Sequence, residues 1–80
     1  MTYSKQAEAG IHQKAIQMLL EQEIIKKQDS LSISDAARGF SKQSIAALID
    51  KNANISNSEL AIILQTIIIQ VLFWMQSIFG

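Results

Sequence analysis

Cysteine and proline are both absent from this 80-residue chain, histidine occurs once, and charged residues make up only 18% of it. Without cysteine there is no disulfide scaffold and no thiolate metal site. One histidine, His12, leaves no partner for an imidazole-based metal centre or for paired acid–base chemistry near neutral pH. Without proline, nothing in the chain forbids a continuous helix. Seven basic residues are balanced by seven acidic ones, so the basic excess that phosphate binding draws on is missing, which argues against nucleic acid as a partner. The three glycines, Gly10, Gly39 and Gly80, are isolated and form no loop that could cradle a nucleotide. The length allows one small domain.

Apolar residues are plentiful at 49% and unevenly placed. All seven basic residues and six of the seven acidic ones precede residue 59, whereas Leu60 to Gly80 carries no charge. The chain therefore divides by composition into an amphipathic region, 1–58, and an apolar segment, 59–80, within a single domain. Abundant Ala, Leu, Ile, Gln and Glu favour helix throughout. The pattern predicts an all-α fold of two to three helices over about 4–28, 33–50 and 57–79, the middle one open to a break near Gly39. Polar breaks fall at Ser30–Ser34 and Asn52–Ser58.

On the first predicted helix, Ile11, Ala15, Met18, Leu19 and Ile25 share one side with Ala7, while Ala9, Ile16, Leu20 and Ile24 fall opposite. Two apolar stripes suit a helix held between neighbours, either inside the fold or across a subunit boundary. The first set is thus a candidate second contact face.

The third helix has the best-defined start. Ser56 followed by Glu59 is a capping box, and Ile55 and Leu60 are spaced to form a hydrophobic staple around it. The helix should begin at Asn57 and stop at Gly80. Within it, Glu59–Ile69 aligns with Gln70–Gly80: Gln65 matches Gln76, Thr66 matches Ser77, and most other positions are apolar in both. Eleven residues in three turns keep faces aligned along a straight helix. Gln65 and Gln76 form one polar line, and Thr66, Gln70 and Ser77 a second. The remaining half of the circumference is apolar, with Ile63, Ile67, Val71, Trp74 and Ile78 along it together with Leu64, Ile68 and Met75.

A rod of about 23 residues is roughly 34 Å long, enough to cross a hydrocarbon layer of about 30 Å. Uncharged Gln, Ser and Thr can tie apolar helices together without burying charge. The expected partners are accordingly a second copy in a homo-oligomer, another helical protein, or a lipid bilayer. The interaction set is Ile63, Gln65, Thr66, Ile67, Gln70, Val71, Trp74, Gln76, Ser77 and Ile78. In the bilayer case the layout resembles a tail anchor, membrane-associated with the charged N-terminal part on the side of synthesis. The alternative is a soluble self-assembling, polymeric subunit, cytoplasmic or within a large assembly. The polar N-terminus lacks the apolar run of a cleaved signal peptide.

Little supports catalysis. His12 has Glu8 one turn before it and Ile16 one turn after, a setting that suits a structural role. No catalytic, cofactor-binding or metal-binding residues, and no small-molecule substrate, are expected. Ser32–Ile45 loosely resembles a helix-turn-helix with its turn at Gly39, in which Arg38, Lys42, Gln43 and Ser44 would reach DNA. The neutral charge and poor spacing weigh against it. The same stretch reads as a narrow helix of Ala36, Ala37, Ala46 and Ala47 capped by Ser34 or Ser41. The function expected is that of a non-enzymatic structural or interaction subunit, with a small DNA-binding regulator as a second alternative.

Overall fold

A computed structural model of the chain describes residues 5–52 and 54–79. They form three α-helices, α1 (Lys5–Glu21), α2 (Ser30–Lys51) and α3 (Asn57–Phe79), with a short 3-10 turn at Lys27–Asp29 and no strand among the described residues. The all-α class follows from the sequence. The stop expected at Gly80, and residue 4 as a helix start, lie outside the described residues.

The first helix is shorter than its pattern suggested, ending at Glu21 rather than 28. The reason is local. Glu23 takes the left-handed conformation at φ 59. Its N–H donates to the carbonyl of Leu20 at 3.0 Å, and that of Ile24 donates to the carbonyl of Leu19 at 3.0 Å. These are the paired bonds of a Schellman cap, here with glutamate where glycine is usual. The turn folds Ile25 back into the core, where it is buried. Lys26 is extended, and Ser30 Oγ donates to the carbonyl of Lys27 at 2.8 Å.

The second helix starts at Ser30 rather than 33 and runs unbroken through Gly39. Ser34 and Ser41 are therefore interior positions, not N-caps. Asn52 closes it by donating its N–H to the carbonyl of Leu48 at 2.9 Å. The third helix begins where its signal placed it: the Glu59 N–H donates to Ser56 Oγ at 3.2 Å, and the Leu60 N–H to the carbonyl of Ser56 at 3.0 Å. Ile55 is half-buried against the core that includes Leu60, as the staple requires.

The helices run up, down and up. Lys14 meets Ser58 and Gln22 meets Gln65, so advancing along α1 advances along α3 and the two are parallel. The start of α2 lies against the far half of α3, with Ile33, Ala36 and Phe40 near Ile68, Leu72 and Met75, so α2 is antiparallel to it. A single core joins Ile11, Ala15, Ile16, Leu19 and Ile25 to Ala37 and Ile45 of α2 and to Leu60, Ala61, Leu64 and Ile68 of α3. The compositional division at residue 58 is thus not a division of packing. The molecule measures 41 × 23 × 18 Å.

Candidate interaction surface

The helix α3 leads two lives along its length. Leu60, Ala61, Leu64 and Ile68 are 1, 0, 0 and 1% exposed, whereas Phe73, Trp74, Met75 and Ile78 are 65, 65, 40 and 54% exposed. The difference follows from stagger: Lys14, midway along α1, is level with Ser58 at the start of α3, and Gln22, just past the end of α1, is level with Gln65, so α1 ends well short of the last turns of α3. α1 lies along the first half of α3, the start of α2 lies beside Ile68, Leu72 and Met75, and the flank bearing Phe73, Trp74 and Ile78 is left uncovered.

This divides the expected interaction set. Ile63, Ile67 and Val71 are half-buried, and Trp74 and Ile78 are exposed on the same flank. Gln70 and Ser77 face solvent, and so does Thr66, whose Oγ1 donates back to the carbonyl of Ile62 at 3.1 Å. Gln65 is half-buried and accepts at Oε1 from Nε2 of Gln22 at 3.0 Å. Its amide is thus used within the chain, aligning α3 with α1. Gln76 is exposed and lines a shallow cleft of about 240 Å³ with Ile24, Ile69 and Phe73.

The second contact face needs correction. Ile11, Ala15, Leu19 and Ile25 are 3, 0, 0 and 5% exposed, and Met18 is half-buried against them. The two apolar stripes of the first helix are the edges of one broad face that meets α2 and α3 within the chain. That face is not presented to another molecule. The large apolar side chains left outside are elsewhere. Among them, Phe73 and Met75 stand outside the expected interaction set, although the sequence pattern places Met75 on the apolar half of the helix.

Beside the exposed flank, α2 and α3 leave an almost wholly apolar groove of about 220 Å³, lined by Ile33, Ala36, Ala37 and Phe40 on one side and by Ile68, Val71, Leu72 and Met75 on the other. The small Ala36 keeps it open.

Other candidate chemistry is scattered. His12 is 1% exposed, with Nε2 2.8 Å from Ser34 Oγ, while its Nδ1 and the buried Ser41 Oγ have no hydrogen-bond partner. Burial lowers the pKa of His12 below 6.5, the Arg38 cation adds to this, and Ser34 and Glu8 oppose it. The ring faces the α1–α2 interface. No group of three His, Cys, Asp or Glu side chains able to hold a metal occurs among the described residues. Arg38, Lys42 and Gln43 are exposed and Ser44 half-buried on one continuous helix. The turn that a helix-turn-helix requires at Gly39 is therefore missing.

Asn57–Ile78 is long and apolar enough to cross a membrane, a test of length and composition that core helices of soluble proteins also pass. Compared with protein-family models, curated proteins and solved structures, the chain matches none.

Proposed function

We propose that this protein is a non-enzymatic interaction subunit that joins a helical protein assembly through the far half of α3. The supporting observation is the exposure of Phe73, Trp74, Met75 and Ile78 on a helix whose earlier turns bury Leu60, Ala61, Leu64 and Ile68 in the core. Apolar surface gains about 25 cal/mol for each Å² removed from water. A contiguous patch of this kind on a small domain marks a contact surface.

The alternative cover is a lipid bilayer, favoured by the length and apolar composition of Asn57–Ile78, uncharged from Leu60 onward. Packing favours protein. Spanning would take Leu60, Ala61, Leu64 and Ile68 out of the core they share with α1 and α2. Ile69 and Leu72 still pack against that core, so only residues 73–79 project beyond it, about 10 Å of helix against a hydrocarbon layer of about 30 Å.

Fractionation followed by size measurement, with and without detergent, tests the proposal. A particle larger than the 8.9 kDa chain in plain buffer supports assembly. Recovery only in detergent favours the bilayer. A soluble monomer with no affinity for lipid or protein removes both readings.

A further inference from the structure

We infer that the partner of the exposed α3 flank is a second copy of the same chain, packed helix to helix along Ile67, Val71, Trp74 and Ile78. This rests on the proposal that α3 is a protein-contact surface, and it names the occupant. Three observations carry it.

The first is spacing. Ile67, Val71, Trp74 and Ile78 are separated by four, three and four residues, the alternation of a coiled-coil seam, in which each side chain inserts between side chains of a facing helix. A lipid tail imposes no such spacing. Ile67 and Val71 are half-buried and Trp74 and Ile78 largely exposed, so the seam is incomplete without another helix.

The second is charge. After Glu59, α3 carries none, and a two-fold contact places each residue near its own copy or a close neighbour of it. A charged patch repels itself in that arrangement, whereas an uncharged one does not. Gln70 borders the seam, and an amide both donates and accepts, so it can pair with its own copy. The Gln22–Gln65 bond at 3.0 Å shows that pairing inside one chain.

The third is area. At the exposures of Trp74, Met75 and Ile78, and with the half-buried residues of the flank, the patch offers on the order of 500 Å² of apolar surface. Standard-size protein interfaces bury about 800 Å² per partner, and homodimer interfaces are about 65% apolar. The patch with its polar border is of that size.

The test uses the intact chain in detergent-free buffer. Sedimentation over a concentration series is expected to show a monomer–dimer equilibrium. The emission of Trp74, the chain's one tryptophan, should shift to the blue as dimer forms. Ile78→Glu places a charge in the seam at a position 54% exposed in the monomer. It should weaken association by about tenfold or more while leaving helix content unchanged. Leu31→Glu, at a position 79% exposed on α2 and outside the α3 patch, should leave association within about threefold of the original chain. A monomer at all concentrations overturns the inference. So does loss of dimer in both variants alike, which indicates unspecific apolar adhesion. Phosphatidylcholine vesicles separate the two levels of the argument. A chain monomeric in buffer whose Trp74 emission shifts only with vesicles refutes the dimer and favours the bilayer reading. A monomer indifferent to vesicles and to helical partners refutes the proposed function as well.

Discussion

Gln22 donates a 3.0 Å hydrogen bond from Nε2 to Oε1 of Gln65, joining the end of α1 to the middle of α3 across 43 residues of sequence. The bond is exposed, so water competes for both amides and the net contribution is small. Gln22→Ala is expected to lower stability by about 0.5–1 kcal/mol in chemical denaturation. It should leave the particle size unchanged, because Gln65 serves its own chain. A change in size would show that this amide also engages a partner.

Glu23 sits at φ 59 in the cap of α1. A side chain there crowds the following carbonyl, and glycine avoids the strain. Glu23→Gly should raise stability by about 0.5–1 kcal/mol, the relief of strain outweighing the added freedom of the unfolded chain. A lower thermal midpoint in the variant would show that the Glu23 side chain has a stabilising role.

Ser56 Oγ accepts the Glu59 N–H at the start of α3. Ser56→Ala leaves that donor to water and should cost about 1 kcal/mol, read as a lower denaturation midpoint with an unchanged slope. Ser56→Asp keeps an acceptor in place and should restore most of the loss.

His12 is buried with Nδ1 unpartnered and its pKa lowered, mainly by burial. Glu8 and Arg38 are the charged groups acting on it. Protonation puts an N–H on both ring nitrogens, and one of them finds no acceptor. The unfolded chain binds that proton near pH 6.5 and the folded chain only at lower pH. Stability is therefore fully present above about pH 6.5 and falls as the pH drops from there toward the folded value. Denaturation midpoints at pH 7 and pH 5 should differ in that direction. His12→Gln should reduce the difference; an equal slope in the variant would assign it to the carboxylates.

The third helix was legible because its signals are local. Ser56, Glu59, Ile55 and Leu60 specify a start within six residues, and the absence of proline carries the helix onward. The end of the first was hidden because its stop is written with Glu23, a residue type that rarely adopts the left-handed conformation. Gly39 suggested a break that is not there. An exposed glycine in mid-helix weakens it by about 1 kcal/mol against alanine, which the burial of Ala37 and Ile45 on either side of Gly39 offsets. The interaction flank was readable as a pattern from Ile63 to Ile78. Its division into covered and uncovered halves was not, since that depends on where α1 stops and on how α2 folds back.

Because one rod both fills the interior and carries the uncovered tip, ligation and melting are linked. A partner gripping Trp74 binds only the folded chain, so its affinity adds to a stability that is small in a domain of this size. The melting temperature then becomes a function of concentration. A cavity cut near Leu64, far from the tip, weakens the grip without touching it.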